Sequence, residues 1–467
     1  MPRKRAEPLS PHDLAALGTE KLSELLIEAA RRDESLAARL QRELTAGGPE
    51  QELAKLIRRQ LRGLGGHDFV AWNEAGGLAA GIDSLRESIV RQVSSKSPRL
   101  AAELLGELVA ADARILEGVD DSNGEVGDAL GRVMLDWGAA WAEVGDADPE
   151  ALADLVLTAS EGNDYGIRDE IVPAFAKAFG RAGLERLEQR ARAQLEKLSR
   201  RKGRQADEWD SVRSRLVQIL RDVADARGDP DLFVEASRLG GVLEPYAVEI
   251  GRRMLRAGRA EEALRWVADA DERDLHRGLE IAEVKAAALE LLDRGDEAQQ
   301  VRWRRVEARL DPDVLAAYLE RLPSDGARAK ARAEAQRIAS AHEDPHLALW
   351  FLAEQGNLEA LAEFATERIG ELDGARYELL GPAAEALSGE PLAAALLHRR
   401  MVESVLDRGR STAYDYAARD LRRAAACARR VGRGEEFEGH EVWVERLRTR
   451  HGRKRAFWSR AEHAASR

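Results

Sequence analysis

Cysteine, proline and strand-forming residues are all scarce in this chain of 467 residues. Its single cysteine, Cys427, excludes an intramolecular disulfide and a zinc site built from several cysteines. Only 14 prolines interrupt the chain, and β-branched and aromatic residues are sparse. Alanine, leucine, glutamate and arginine dominate, and these residues lose little conformational entropy in a helix. The composition therefore predicts an almost entirely α-helical protein.

Long hydrophobic runs are also missing. No apolar run approaches the roughly 20 residues that cross a membrane. No apolar stretch follows the basic residues 1–5, so we expect no signal peptide and a cytoplasmic location. Hydrophobic residues make up 44% and charged residues 33%, which excludes a disordered chain and a membrane protein. The net charge of −12 opposes nonspecific binding to nucleic acid or anionic membranes.

Helical periodicity and glycine-containing turns give the organisation. We expect a flexible N-terminus over 1–12, an N-terminal helical region over 13–200 and a C-terminal repeat region over 208–467. The boundary between the two helical regions is placed at the polar stretch 199–207, which is either a linker or an exposed helix end. A basic tail, 446–467, closes the chain.

The C-terminal region carries an irregular repeat. One pattern recurs around Gly258, Gly295 and Gly356. It consists of a short helix, a turn with glycine and a second helix that starts with acidic residues and alanine. This device is typical of tetratricopeptide units, whose period is about 34 residues. A hairpin of this kind cannot bury its apolar face alone and must stack on its neighbours. The pattern predicts an all-α fold, an α-solenoid of stacked helical hairpins that is tetratricopeptide-like in its C-terminal part.

Several blocks resemble a bacterial family of uncharacterised helical proteins, a domain of unknown function. In some relatives, similar helices follow a SWIM zinc finger. The resemblance implies a helical fold and no established activity, and the zinc finger is absent because SWIM chemistry needs several cysteines. The blocks are DFVAWNEA at 68–75, VDDSNGEVGD at 119–128, LDGARYE at 372–378, PAAEAL at 382–387, PLAA at 391–394, RSTAYDYAAR at 410–419 and HGRKRAFW at 451–458.

Two short motifs imitate metal sites. His342 and His346 match the H-E-x-x-H pattern of zinc peptidases, but Pro345 lies between them, so we expect a helix to start at Pro345 and the motif to form a turn. The stretch 119–130 imitates a calcium loop, yet valine and leucine would occupy its first and last ligand positions. A capping box of Ser122 and Glu125 is the favoured explanation there.

A group of acidic residues and the lone cysteine are the remaining chemical candidates. Paired carboxylates can act as acid and base, but an acidic helix start explains the acidic residues through the helix dipole. We favour that structural explanation, and we expect Cys427 to be a buried thiol because no base is paired with it in the sequence. The acidic residues are Glu161, Asp164, Asp169 and Glu170, with Tyr165 among them.

The basic tail is the candidate nucleic-acid contact. Clustered arginines with interleaved aromatics can follow phosphates and stack on bases. The alternative is a solvated final helix with Phe457 and Trp458 tucked onto it, or docked on the acidic body of the same molecule. The residues of the candidate contact are Arg448, Arg450, Arg453, Lys454, Arg455 and Trp458.

The sequence shows no P-loop, nucleophile elbow or dinucleotide fingerprint, so we expect no cofactor and lean against an enzyme. The leading hypothesis is a non-enzymatic scaffold that binds a protein partner, because solenoids present long recognition surfaces. A nucleic-acid-associated protein that uses the tail is the second hypothesis. A hydrolase whose site comes from distant helices is the third.

Overall fold

Helix-forming residues dominate the chain, and helices dominate the structure. The computed structural model describes residues 10–64, 69–200, 206–241, 243, 246–270, 275–432 and 437–463. Within these ranges there is no strand, and one isolated backbone bridge joins Val70 to Val119. The predicted all-α fold is confirmed. Among the described residues no helix is both long and apolar enough to cross a membrane.

The chain divides into two compact units, Met1–Tyr246 and Ala247–Arg467. The predicted boundary lies elsewhere, in the stretch 199–207, of which 201–205 fall outside the described residues. The separation of 13–200 from 208–467 stays a prediction. The flexible N-terminus predicted over 1–12 falls for residues 1–9 outside the described ranges, and the first helix begins at Pro11.

The first unit contains twelve helices within its described residues. A π-helical turn, Ile89–Val93, extends the fifth. The helices are α1 (Pro11–Ala15), α2 (Gly18–Ala30), α3 (Glu34–Ala46), α4 (Glu50–Gly63), α5 (Ala75–Ser88), α6 (Pro98–Val109), α7 (Asp112–Glu117), α8 (Glu125–Ala142), α9 (Pro149–Ala159), α10 (Ile171–Arg200), α11 (Ala206–Arg227) and α12 (Pro230–Leu239).

Successive helices of the first unit pack as hairpins, and the hairpins stack. Helix α9 packs on α10 and α10 on α11, while α8 packs on α5, α6 and α10. Edge-to-face contact between Trp137 and Phe175, with ring centroids 4.8 Å apart, fixes α8 against α10. Gly180 breaks α10 with a φ of +51°, a left-handed conformation that favours glycine, so α10 is two helices joined at a kink.

The second unit also stacks hairpins, with α13 on α14 and α15, and α22 on α20, α21 and α23. Short 3-10 turns at Leu387–Gly389 and Ser411–Ala413 flank α22. Its described helices are α13 (Ala247–Arg256), α14 (Ala260–Val267), α15 (Leu275–Leu291), α16 (Gly295–Arg309), α17 (Pro312–Glu320), α18 (Asp325–Ser340), α19 (Pro345–Glu354), α20 (Leu358–Glu367), α21 (Tyr377–Ala386), α22 (Pro391–Arg408), α23 (Tyr414–Ala428), α24 (His440–His451) and α25 (Arg455–His463).

The three predicted turns lie between helices of this unit. Gly258 and Gly356 adopt φ values of +74° and +67°. These left-handed conformations favour glycine, because glycine has no Cβ atom. In the middle turn the left-handed residue is Asp293, with a φ of +57°, and Gly295 instead begins α16. Aspartate tolerates this conformation better than most residues. The stacked-hairpin architecture is confirmed in each unit, and its similarity to tetratricopeptide units stays a prediction.

Candidate functional site

The first two blocks of the family resemblance come together in the first unit. The backbone N–H of Val70 donates to the carbonyl of Gly118 at 2.9 Å, and the N–H of Asp120 donates to the carbonyl of Val70 at 2.9 Å. The segment that precedes α5 is thereby fixed beside the segment that precedes α8. Asp68, the first residue of the first block, lies outside the described residues.

The entry into α8 departs from the predicted capping box. The carboxylate of Asp121 accepts hydrogen bonds from the backbone N–H groups of Val126, at 2.9 Å, and Gly127, at 2.8 Å. Gly124, with a φ of +74°, turns the chain so that this carboxylate faces the first turn of α8. The hydroxyl of Ser122 donates to Asp120 instead. The prediction of a Ser122–Glu125 capping box is therefore wrong. The Asp121 carboxylate takes its place, because its two oxygens can accept from two unpaired N–H groups at once.

These two segments line a groove of about 1010 Å³, which we call the α8 groove. Three large side chains in its wall are exposed to solvent: Phe69 at 68%, Leu135 at 51% and Tyr165 at 50%. Trp72, in the first block, is 59% exposed. If a binding partner covered these side chains, each Å² of apolar surface removed from water would contribute roughly 25 cal/mol of favourable free energy. Three large apolar side chains therefore share one exposed concavity.

Fixed charges lie beside this apolar surface. Arg132, in the wall of the α8 groove, binds Asp83 through a nitrogen–oxygen contact of 2.6 Å. Asp83 also pairs with Arg86, which reaches Asp136 at 2.6 Å. The Arg132 hydrogen bond holds the pKa of the Asp83 carboxyl below its ordinary value, so this network stays ionised at neutral pH. The α8 groove therefore combines apolar anchors with a charged edge.

A second concavity of the first unit, which we call the α11 cavity, has a volume of about 1090 Å³. The acidic residues singled out in the sequence lie in its wall, in the turn that precedes α10. The side chain of Asn163 organises this turn: its oxygen accepts from the N–H of Arg168 at 2.9 Å, and its nitrogen donates to Asp169 at 2.7 Å. The acidic residues of the wall are Glu161, Asp164, Asp169 and Glu170.

Helix α11 supplies the opposite wall with three charged side chains, Arg215, Arg221 and Asp222. Burial raises the pKa of the Asp222 carboxyl to about 7, even though Gln218 donates a hydrogen bond to it at 2.8 Å. Sequence reasoning missed all three residues. Their spacing on an ordinary amphipathic helix carries no chemical signature, and only the tertiary fold sets them opposite the acidic turn.

The aromatic residues of the basic tail lie in the interior of the second unit. Phe457 is fully buried and Trp458 is 7% exposed, with their ring centroids 4.9 Å apart. The indole N–H of Trp458 donates to the carbonyl of His451 at 3.1 Å. Trp443 is buried as well, and its indole N–H donates to Glu403 at 2.8 Å. These rings therefore pack as core rather than as an open platform for bases.

The cations of the tail fall into two groups. Arg450 pairs with Asp407 of α22 at 3.2 Å, so it contacts the acidic body as the alternative explanation expects. Arg448 pairs with Glu462 at 2.9 Å and stacks on Trp458 at 4.6 Å from the ring centroid. The second group is Arg453, Lys454 and Arg455, none of which has a carboxylate within 4.0 Å among the residues that the structure describes.

The zinc-like motif forms the predicted turn. Helix α19 begins at Pro345, and the Asp344 carboxylate accepts from the N–H of His346 at 2.9 Å. His346 accepts from the N–H of Asp373 through Nε2 at 2.7 Å, while His342 accepts from the N–H of Asp344 through Nδ1 at 3.0 Å. Both rings thus serve local structure. Within the described ranges, no three histidine, cysteine or acidic side chains are placed to hold a metal ion.

Cys427 is half-buried on α23, and burial raises the pKa of its thiol. A thiol with a raised pKa is a poor nucleophile at neutral pH, because the thiolate is the reactive form. The prediction of a buried thiol is met only in part, because Cys427 is partly buried and packs against the edge of a hydrophobic core cluster.

Comparisons with known proteins give a family without an established activity. No curated protein matches it. A solved circular tandem repeat protein with novel repeat topology and enhanced subunit contact surfaces is 18% identical over 96% of this chain and 100% of its own. The TM-score of 0.19 is too low to establish a shared fold. A family model described as a family of unknown function (DUF6880) matches residues 4–460, and the chain belongs to that family.

Proposed function

We propose that this protein is a non-enzymatic helical-repeat scaffold that binds a protein partner through the α8 groove. The observation that carries the proposal is the exposure of Phe69, Leu135 and Tyr165 in the wall of one groove. Aromatic side chains are enriched among the residues that dominate the binding energy of protein interfaces. A stack of helical hairpins supplies a rigid support for such a surface.

The surroundings of the groove favour a protein partner over a small apolar ligand. Small-molecule sites enclose most of the surface of the ligand, whereas here the aromatic rings stand half or more in solvent. A rim of ion-paired residues, such as Arg132 and Asp83, is typical of the polar edge of a protein interface. The same rim would set the orientation of the partner through charge complementarity.

The second candidate function is nucleic-acid association through the tail. It is supported by Arg453 and Arg455, which are exposed, and by Lys454, since these cations have no carboxylate partner among the described residues. The buried ring of Trp458 supports contact with phosphates rather than stacking on bases. The resemblance to helices that follow SWIM zinc fingers adds no support, because a chain with one cysteine lacks that finger.

A hydrolase is the third candidate. Its support is the α11 cavity, which gathers carboxylates from α11 and from the turn that precedes α10. Asp222, with its pKa raised to about 7, could in principle exchange a proton at neutral pH. The described lining includes no histidine, serine–base pair or cysteine in an activated arrangement. We therefore rank this function below the two binding functions.

Affinity capture with matched variants tests the scaffold function. The wild-type protein, Phe69→Ala, Tyr165→Ala and the control Leu44→Ala are each used as bait in a lysate of the source cells, with and without nuclease. Leu44 is a suitable control because it is 84% exposed on α3 and lies outside the groove. We expect a protein that survives nuclease treatment, stays with Leu44→Ala and is lost, by about tenfold or more, with either groove variant.

Two other outcomes would change the assignment. Capture that is equal for all four baits would contradict binding through the α8 groove. Partners that disappear with nuclease would place the nucleic-acid function first and direct mutagenesis to Arg453, Lys454 and Arg455.

A further inference from the structure

Two arginines of the α11 cavity, one buried and one partly exposed, have no carboxylate at hydrogen-bonding distance among the residues that the structure describes. Arg221 is 8% exposed, and its guanidinium binds neutral hydroxyls: Nε donates to Ser237 at 3.2 Å and Nη1 donates to Tyr246 at 3.0 Å. The guanidinium also stacks on the Tyr246 ring at 4.1 Å from its centroid. These contacts hold the side chain in place and leave its positive charge available to a ligand.

Arg215 lies in the same cavity one to two helical turns earlier on α11. Its Nε is buried and has no hydrogen-bond partner, and its nearest carboxylate, Glu161, is 3.8 Å away. Burial lowers the pKa of its guanidinium, and Glu161 offsets that effect only in part. A buried donor without a partner is costly, so a group that accepts from Arg215 would be bound favourably.

Interior arginines of the first unit are held in two ways. Arg42, which is 2% exposed, donates to the neutral side chains of Ser84, Ser88 and Gln60, whereas other arginines bind carboxylates. Arg168 binds Asp112 at 2.5 Å, and Arg227 binds Glu188 at 2.5 Å. Arg215 and Arg221 differ from Arg42 because they line an open cavity, and the Nε of Arg215 has no hydrogen-bond partner there. They can therefore bind an anionic ligand group, for which arginine provides planar and often bidentate recognition.

The carboxylates of the cavity add a second requirement. The four acidic residues of the turn and Asp222 of α11 surround the same space. A simple anion would be repelled by these carboxylates, and a simple cation by the arginines. A ligand with one carboxylate and one ammonium group would satisfy both the arginines and the carboxylates. The volume of about 1090 Å³ is ample for a tripeptide, which spans roughly 10 Å when extended.

We propose that the α11 cavity is a binding site for a zwitterionic small molecule of the short-peptide type, with its carboxylate on Arg215 and Arg221 and its ammonium group on the acidic turn. This site is separate from the α8 groove and does not depend on the scaffold function. It assigns a role to residues of α11 that the partner-binding surface does not use.

Calorimetric titration of the full-length protein with three related probes tests the ligand class. The probes are trialanine, N-acetyl-trialanine, which lacks the ammonium group, and trialanine amide, which lacks the carboxylate. We expect trialanine to bind and each modified probe to bind about tenfold or more weakly, since each loses one charge-assisted contact. No binding of trialanine, or equal binding of all three probes, would overturn the proposal.

Matched variants test the location. Arg215→Gln should abolish trialanine binding, while Arg181→Gln should leave it unchanged, because Arg181 is a 92% exposed arginine of α10 outside the cavity. Ser214→Trp fills the cavity from an exposed position and should also abolish binding without removing charge. Circular dichroism verifies that each variant is folded. Retained affinity in a folded Arg215→Gln or Ser214→Trp protein would refute the site.

Discussion

Arg168 and Asp112 form a two-point ion pair in the interior of the first unit. The guanidinium Nε donates to one carboxylate oxygen at 2.7 Å and Nη2 binds the other at 2.5 Å. The two side chains are 10% and 5% exposed. The pair fixes the turn before α10 to the start of α7. Because that turn supplies Tyr165 to the α8 groove and acidic residues to the α11 cavity, the pair positions both proposed sites.

Asp112→Asn should destabilise the protein by about 3 kcal/mol or more, because it leaves the buried charge of Arg168 without its counter-ion. Urea unfolding followed by circular dichroism measures the change. The exposed pair of Arg99 and Asp146 provides the control, and Asp146→Asn should leave the unfolding midpoint unchanged. Equal midpoints for wild type and Asp112→Asn would contradict the role of this pair.

Two glycines of α8 should respond in opposite ways to alanine. A Cβ on Gly138 would overlap the carbonyl oxygen of Ala174, so Gly138→Ala should force α8 and α10 apart and cost about 1–3 kcal/mol. Gly131 has open space around its Cβ position, and Gly131→Ala should stabilise the helix by roughly 0.5–1 kcal/mol. Thermal unfolding of both variants measures the difference, and a destabilised Gly131→Ala protein would contradict the open packing there.

Asp222 predicts a pH-dependent effect on stability. The pKa of its carboxyl is about 7 in the folded protein and has an ordinary value of 3.8, so the folded state binds more protons between these values. Its ionisation therefore reduces stability as pH rises from about 4 to 7. Asp222→Asn should melt at a higher temperature than wild type above pH 7, with the difference vanishing toward pH 4. A difference that is constant with pH would rule out this assignment.

The charges around Asp222 come from several elements and enter the same prediction. Glu170, in the turn before α10, and Asp225, on α11, raise the pKa of Asp222, whereas Arg221 lowers it. Glu170→Gln should accordingly lower the pKa of Asp222 and so reduce the stabilisation that Asp222→Asn produces above pH 7. If Glu170→Gln leaves that stabilisation unchanged, desolvation of Asp222 is sufficient and the turn contributes nothing to its ionisation.

Different residues of the basic tail should contribute to stability and to nucleic-acid contact. Trp458→Ala should destabilise the second unit by about 3–5 kcal/mol, because the ring is buried against Phe457. Replacing Arg453, Lys454 and Arg455 together by glutamine should leave stability unchanged and abolish any salt-sensitive binding to nucleic acid. Fluorescence anisotropy over a salt series measures the binding. A stable Trp458→Ala protein with reduced nucleic-acid affinity would contradict the core role of this ring.

The sequence was sufficient for the fold class and for several turns. Composition predicts helices, and glycine at 258 and 356 predicts left-handed turns, because both properties are local. The start of α19 at Pro345 follows from the same kind of reasoning, since proline restricts the residue that precedes it. The middle turn shows the limit: Asp293 adopts the left-handed conformation there without a glycine.

Long-range contacts account for what the sequence could not supply. Whether Asp121 or Ser122 caps α8 depends on the path of the chain past Gly124. The exposure of Phe69 and Tyr165 depends on which helices pack beside them, and so does the 3.8 Å separation of Arg215 from Glu161. Hydrophobic periodicity predicts which face of a helix is buried, but it does not predict an aromatic side chain that stays in solvent.

Site-specific photo-crosslinking in the source cells tests the central claim most directly. The crosslinking residue p-benzoylphenylalanine replaces Phe69, Tyr165 or the control Leu44, and crosslinked products are identified by mass spectrometry. We expect one discrete protein to be crosslinked from positions 69 and 165 and not from position 44. Crosslinks that are absent at both groove positions, or identical at all three, would contradict the assignment of the α8 groove as a protein-binding surface.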